Sequence, residues 1–205
     1  MKKRNAYLLL SLAIAIASSV SCGDDVVGEH FPIPPQRKLD LTKKTNVLNN
    51  IEYAYNKKDA NTYQQLLDPN FTFFYNESDA NGQTPVQWGY NDEVKTTEGV
   101  FGAALSIAMD LSWEDGVAWI EHVAGSETWY DTTVFYHFTI KIGDTTYLPN
   151  AGAKAIFTVR NAGTTEKPVW KLVEFRDLGG PSFAAMRVSS TQPTTWGQVK
   201  ALYRK

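Results

Sequence analysis

The sequence predicts an α+β fold in which helices come first and a run of antiparallel strands follows. Two observations carry this prediction. Between about Asp40 and Leu67, apolar residues recur at the spacing of amphipathic helices. From about Leu105 onward, segments rich in aromatic and β-branched residues are separated by turn signals such as Gly143-Asp144, a pattern typical of a sheet.

The first two helices are predicted from apolar spacing and from their end signals. One apolar face marks a helix that runs from near Asp40 to about Lys57. Asp59 stands where its side chain can cap a short second helix. That helix is expected to end at Asp68-Pro69, because the residue before a proline disfavours helical geometry.

Later segments predict two further helices and most of the strands. A third helix begins either at Thr84, which opens a capping-box pattern, or at Asn91. A last amphipathic segment around Trp196 predicts a C-terminal helix capped by Thr194 or Thr195. The predicted strands are Phe71–Tyr75, Leu105–Trp113, Val117–His122, Thr132–Ile142, Thr145–Leu148, Ala153–Arg160 and Val169–Asp177.

The charge and cysteine content exclude some classes of protein. The formal net charge is −2, and Lys2, Lys3 and Arg4 are the only charged residues among the first 21. The rest of the chain therefore carries 17 basic against 22 acidic residues. An acidic chain has no electrostatic footprint for nucleic acid, so a nucleic-acid partner is not expected. With Cys22 as the single cysteine, no intramolecular disulfide can form.

Residues 1–21 are predicted to be a secretory signal peptide. A cationic start is followed by the largely apolar run Ala6–Val20, which ends in small residues. Fifteen helical residues rise roughly 22 Å, which is less than the ~30 Å of a membrane core, so a permanent transmembrane anchor is not expected.

The segment Ser19-Val20-Ser21-Cys22-Gly23 resembles the lipobox of bacterial lipoproteins. The resemblance implies that Cys22 receives a diacylglycerol and becomes the first residue of the mature protein. Ser19 departs from the leucine that the family prefers there. The alternative is ordinary cleavage near Ala17–Ser21, which leaves a free thiol. Gly23 in place of aspartate resembles the sorting signal for the outer rather than the inner membrane of the cell envelope.

Two domain boundaries follow from composition. Residues 22–39 contain several prolines and glycines without periodicity and are expected to be a flexible tether between lipid and domain. Residues 40–205 are expected to form a single α+β domain, with a C-terminal extension from about residue 179.

Parts of this domain resemble the nuclear-transport-factor-2-like family. The segment Asn56-Lys-Lys-Asp59, followed by Tyr63-Gln-Gln-Leu66-Leu67-Asp-Pro-Asn-Phe71, is similar to the family's first helix, turn, second helix and first strand. The segment Trp170-Lys-Leu-Val-Glu174-Phe-Arg-Asp177 resembles its last strand. The resemblance covers about residues 41–178.

The resemblance implies a cone, in which N-terminal helices pack in the concave face of a curved antiparallel sheet that is open at one end. Members include steroid isomerases, epoxide hydrolases, dehydratases, polyketide cyclases and non-catalytic binding domains. Isomerase chemistry is not expected here. The family's oxyanion tyrosine falls on Ile51, which has no donor, and its aspartate base falls on Tyr75, which is a poor base at neutral pH.

Several side chains are candidates for the lining of the pocket. The aromatic candidates either fill the core or line an apolar cavity. Strand alternation places Glu174 and Arg176 on one face and Asp177 on the other, so the first two either bind a polar group or form an ion pair at the surface or at a dimer interface. Two interpretations are open for His137. It either acts as an acid, a base or a hydrogen-bond donor in the pocket, or it is simply half exposed on its strand. The full candidate set is Phe73, Tyr75, Trp88, His137, Trp170, Glu174 and Arg176.

Three hypotheses of function follow. The first is a membrane-anchored lipoprotein that binds an apolar small molecule or an envelope partner without catalysis. The second is an enzyme of the cyclase, dehydratase or hydrolase kind, and the third is a homo-oligomeric assembly module, such as a homodimer. No catalytic residue, cofactor or metal site is assigned, because three scattered histidines and one cysteine make no metal-ligand spacing.

Overall fold

The computed structural model describes residues 38–75, 87–112, 118–149, 152–179 and 191–204. The predicted leader, Cys22, most of the tether and the alternative helix start at Thr84 lie outside these residues. All of the described elements belong to one compact unit. None of the described helices is long and apolar enough to cross a membrane.

The helices are α1 (Lys44–Lys57), α2 (Ala60–Leu66), α3 (Tyr90–Ala103) and α4 (Trp196–Ala201). Lys58 ends α1 in the left-handed region, and Asp59 caps α2 by accepting a hydrogen bond from the Thr62 N–H at 2.9 Å. Thr195 caps α4 in a capping box with Gln198. The caps predicted at Asp59 and Thr195 are therefore confirmed, and α3 begins next to the predicted Asn91.

The strands are β1 (Leu67–Phe74), β2 (Gln87–Gly89), β3 (Ser106–Ser112), β4 (Ile120–Ala124), β5 (Glu127–Ile142), β6 (Thr145–Pro149), β7 (Lys154–Asn161), β8 (Trp170–Gly179) and β9 (Thr191–Thr194). Among the described residues they form one sheet in the order β2-β1-β8-β7-β5-β6-β9, and β3 and β4 also pair with β5. Antiparallel pairing joins β3, β4, β6 and β7 to β5, and β8 to β7. Parallel pairing joins β1 to β8 and β6 to β9.

The core lies between the sheet and the helices. α1 packs on β3, α3 on β1, and α4 on α3 and β8. Val47, Leu48 and Ile51 of α1 are fully buried against inward-facing residues of the sheet. The predicted α+β fold with helices in a curled sheet is therefore confirmed, with the difference that the sheet is mixed rather than wholly antiparallel.

Candidate functional site

Three predicted pocket residues meet in the interior of the curled sheet. Phe73 and Tyr75 come from β1 and its end, and Trp88 comes from the paired strand β2. The ring centroids of Phe73 and Trp88 are 4.5 Å apart, and those of Tyr75 and Trp88 are 5.2 Å apart. All three side chains are buried, so they form an aromatic wall of the cone rather than a surface patch.

The C-terminal helix α4 occupies the space in front of this wall. The Trp196 ring packs at 4.5 Å from Tyr55 and at 4.9 Å from Phe138, and it is 1% exposed. A Cβ atom on Gly197 would lie 2.5 Å from the Cβ of Tyr75, so only glycine permits this approach. The chain's own helix thus packs inside the cone against this wall.

A buried ion pair joins α4 to α3. The side chains of Glu93 and Lys200 are 0% and 2% exposed, and the Lys200 ammonium donates to Glu93 Oε1. Tyr63 Oη donates to the same oxygen at 2.5 Å, and Trp88 Nε1 donates to Oε2 at 2.7 Å. The Glu93 carboxylate is therefore enclosed by donors, as a buried charge requires.

Aromatic rings complete the surroundings of the ammonium group. Lys200 Nζ lies 4.3 Å from the ring centre of Phe73 and 5.0 Å from that of Phe175. Burial lowers the pKa of Lys200, and the charge of Glu93 opposes that shift. Burial, with Glu93, raises the pKa of Tyr63 well above its usual range, so the tyrosine stays protonated as a donor.

Asp177 on β8 is the second polar group of the interior. It is 2% exposed, and its Oδ1 accepts from Tyr136 Oη at 2.7 Å and from the Gly179 N–H at 2.9 Å. Its Oδ2 accepts from the Gly197 N–H at 2.7 Å. Asp177 therefore holds the first turn of α4 against the sheet.

Glu174 and Arg176 lie on the outer face of the sheet. A β-bulge at Val173 interrupts β8, so that Asp177 faces inward together with Leu172. The structure places Glu174 and Arg176 on one face and Asp177 on the other, as strand alternation does, and the bulge additionally puts Leu172 on the face of Asp177. Arg176 Nη2 donates to Glu174 Oε1 at 2.8 Å, and both side chains are partly exposed, which agrees with the surface ion pair of the prediction.

His137 also lies away from the interior. It stands opposite Asp110 in the β3–β5 ladder, on the face of β5 that alternates with the buried Tyr136 and Phe138. Burial raises the pKa of Asp110, and His137 lowers it less strongly. His137 and the Glu93 cluster therefore occupy opposite faces of the sheet.

Glu52 of α1 is a buried carboxyl group that the charge of Asp110 influences. Glu52 is 4% exposed, and burial, followed by the Asp110 charge, raises its pKa to about 8. Glu52 Oε1 and Asp110 Oδ1 accept no hydrogen bond within the described part of the chain. The raised pKa favours the protonated, neutral form of Glu52.

Trp170 lies at a different end of the sheet. Its ring is 5.5 Å from that of Tyr130, and Lys44 Nζ lies 5.3 Å from the Trp170 ring centre.

An open groove of about 540 Å³ lies between β1 and the start of α3, where Asn70, Tyr90 and Asp92 line it. The structure thus brings together Phe73, Tyr75 and Trp88 and separates the other candidates from them. Within the described ranges, no group of three or more His, Cys, Asp or Glu residues is placed to hold a metal ion.

Comparison with known proteins gives likenesses of fold. No protein-family model matches the chain, and no curated protein matches it. The chain is similar to a nuclear transport factor 2-like superfamily protein from Salmonella enterica, at 18% identity over 71% of this chain and 93% of that one, with a TM-score of 0.47. It is also similar to a protein of the same kind, of unknown function in nutrient uptake, from Rhodospirillum rubrum, at 13% identity over 65% of this chain and 95% of that one, with a TM-score of 0.47. A third, of unknown function from Pseudomonas putida, is 12% identical over 71% of this chain and 89% of that one, with a TM-score of 0.46.

Sequence reasoning missed Glu93 and Lys200. An acidic residue in the first turn of a helix reads as a solvent-exposed partner of the helix dipole, which hid the role of Glu93. The amphipathic pattern around Trp196 gave no reason to expect a buried lysine, yet Lys200 is 1% exposed. The only sequence signal for the pair was the position of Lys200 four residues after Trp196, on the same face of a helix.

Proposed function

We propose that the chain is a bacterial lipoprotein, held on the cell envelope by acyl chains on Cys22, whose domain binds an envelope partner without catalysis. The anchor part of the proposal rests on the signal sequence and on the single cysteine at its end. The domain part is supported by one observation, that α4 of the same chain packs inside the cone against its aromatic wall.

The buried carboxylates of the interior accept hydrogen bonds from other groups of the same chain. Glu93 already accepts from Tyr63, Trp88 and Lys200, and Asp177 already accepts from the first turn of α4. A catalytic acid or base must come within hydrogen-bond reach of a substrate. The candidate pocket residues His137 and Glu174 lie on the outer face of the sheet rather than inside the cone. These observations favour a non-catalytic role.

A protein partner on the outer face of the sheet fits the structure better than a small apolar ligand inside the cone. Such a ligand would have to displace the Trp196 ring, which is enclosed by other rings, and to separate Gly197 from Tyr75. On the outer face, the Arg176 guanidinium lies 4.7 Å from the Phe74 ring centre, and Leu178 is 40% exposed. This mixed apolar and charged face suits an envelope protein or a second copy of the chain.

Occupancy of the cone is tested by native mass spectrometry of the protein extracted in mild detergent, together with titration of a hydrophobic dye. The wild-type protein should carry no small molecule and should not bind the dye, whereas Trp196→Ala, which removes the indole from the interior, should bind it. An apolar molecule retained by the wild-type chain, and displaced by the dye, would refute the partner-binding proposal in favour of a small-molecule carrier.

Partner binding is tested by light scattering and chemical cross-linking of the extracted protein. The particle mass should exceed that of one chain, and Leu178→Asp should reduce it. Leu105→Asp is the matched control, because Leu105 is also exposed but lies at the start of β3. A monomer that gives no cross-linked product from intact cells contradicts the proposal.

The anchor has its own test. The intact mass of the mature protein is measured with and without inhibition of the lipoprotein signal peptidase, and membrane fractions are separated by density. Acylated Cys22 as the first residue, recovered with the outer membrane, is the expected result. A mature chain that begins at another, unmodified residue rules out the lipoprotein.

A further inference from the structure

One end of the sheet carries an aromatic and aliphatic surface that plays no part in the cone interior. We call it the hairpin end and define it as residues 41–44, 119–130 and 161–170. The ranges belong together because the Trp170 N–H donates to the Leu41 carbonyl at 2.8 Å and the Trp170 and Tyr130 rings are 5.5 Å apart. The start of α1, the β4–β5 hairpin and the β7–β8 connection therefore meet at this end.

An aromatic cluster lies around Lys44 at the hairpin end. Lys44 Nζ is 3.4 Å from the ring centre of Tyr130, 5.3 Å from that of Trp170 and 5.6 Å from that of Trp119. All three rings are only partly buried. Tryptophan and tyrosine in this half-buried state have an apolar body and a polar tip, which is the character that suits them to membrane interfaces.

Exposed aliphatic side chains flank the cluster. Ile120 is 60% exposed, Val123 is 64% exposed and Val169 is 39% exposed. Ile120 pairs across the ladder with Asp131, and Val123 pairs with Thr128, so the two β4 residues lie on opposite faces of the same hairpin. A hairpin with an exposed aliphatic side chain on each face is accommodated more readily by a medium that surrounds it, such as lipid, than by a flat protein surface.

Charges at the hairpin end are mixed in sign. Lys43, Lys44 and Lys167 are interspersed with the acidic side chains of Glu121, Glu127 and Glu166. Without an excess of basic residues, attraction to anionic lipid is weak, so the apolar and aromatic groups have to supply the binding. The chemistry therefore fits the interfacial layer of a zwitterionic bilayer.

The path of the chain points to the same side. Lys38 is the first described residue, and Leu41, three residues later, is already part of the hairpin end. The sixteen residue steps from Cys22 to Lys38 span at most about 55 Å when fully extended. A lipid on Cys22 would keep the hairpin end within that distance of the membrane, and such confinement makes a weak surface contact effective.

We propose that the hairpin end docks on the bilayer that holds the anchor, with Ile120 and Val123 inserted among the acyl chains and the Lys44 cluster at the depth of the headgroups. The inference rests on the proposed anchorage at Cys22 for its geometry. Docking fixes the orientation of the domain, so that the opposite end of the sheet points away from the membrane.

The test uses the single cysteine as a chemical anchor. The chain from Cys22 onward is coupled through that thiol either to a maleimide lipid in phosphatidylcholine vesicles or to a soluble maleimide. Amide hydrogen exchange is then compared between the two forms. Amides of residues 119–130 should exchange at least tenfold more slowly on vesicles, since burying one aliphatic side chain changes a partition equilibrium by about that factor.

Two variants keep the result specific. Ile120→Ser combined with Val123→Ser should abolish the protection, and Leu105→Ser should leave it unchanged. Leu105 is 65% exposed, and its neighbour Ser106 pairs with Lys141 at the far end of β5 from the hairpin. All three substituted side chains are mostly exposed, so the variants should fold, which circular dichroism checks.

Several outcomes overturn the inference. Equal exchange on vesicles and in solution does so, as does protection that survives the double substitution. Protection that needs phosphatidylglycerol and disappears in salt would indicate electrostatic adsorption instead. Protection that appears only after envelope proteins are added would assign the surface to a protein. Because the coupling is chemical, failure of docking leaves lipidation of Cys22 untouched, and absence of lipidation in cells leaves this measurement valid.

Discussion

Removing the charge of Lys200 tests whether α4 is a permanent part of the core. In Lys200→Met the Glu93 carboxylate stays buried but loses its cation. Breaking a buried ion pair on one side usually costs about 3–5 kcal/mol. Glu93 keeps three donors, from Tyr63, Trp88 and Thr97, so the loss in the free energy of unfolding should lie near the lower figure, about 3 kcal/mol.

A double-mutant cycle separates the pair from the rest of the network. In the variant that combines Glu93→Gln with Lys200→Met no charge remains, so the total loss should be smaller than the sum of the two single losses. The expected coupling is about 1–3 kcal/mol. Lys95→Met is the control, because Lys95 lies exposed on α3 and should change the free energy by less than about 0.5 kcal/mol.

Urea unfolding that is monitored by tryptophan fluorescence gives the free energy of unfolding of all four variants. The slope of the transition shows whether the folded state has kept its compactness. The reasoning is refuted if Lys200→Met unfolds at the same urea concentration as Lys95→Met, or if the losses of the single variants simply add. Either result would mean that Lys200 does not reach Glu93 in solution.

Two other predictions concern packing and pH. Gly197→Ala should lower the free energy of unfolding by about 2 kcal/mol, because its Cβ would overlap Tyr75, whereas Gly102→Ala has open space and should raise it by up to about 1 kcal/mol. Both are measured by urea midpoints, and equal effects would contradict the close approach of α4. Glu52 binds its proton more tightly when folded, so stability should fall as the pH rises from about 5 through about 8, and Glu52→Gln should remove that slope. A wild-type slope unchanged in Glu52→Gln contradicts it.

Local patterns were sufficient for most elements of the fold, although the short strands β2 and β9 were not predicted and β4 ends at Ala124 rather than at His122. The caps at Asp59 and Thr195 and the strand positions depend on neighbouring residues, so apolar spacing and turn signals predicted them. The parallel pairing of β1 with β8 was not predicted, because it joins strands about a hundred residues apart. No local pattern specifies such a pairing.

The candidate site was predicted only in its aromatic part. Phe73, Tyr75 and Trp88 were expected in the interior because aromatic residues on one strand face usually pack inward. Glu93 and Lys200 were missed, because charged residues are almost never fully buried unless paired. Their pairing exists only in the folded chain. The bulge at Val173 was not predicted either, since bulges leave no dependable sequence signal.

The contact between Glu93 and Lys200 joins residues 107 positions apart, which has a consequence for the order of folding. The aromatic wall around Phe73 lacks its α4 partners until residues 196–201 have been synthesised, and Glu93 lacks its cation until then. Folding of the domain should therefore be a late and largely all-or-none event.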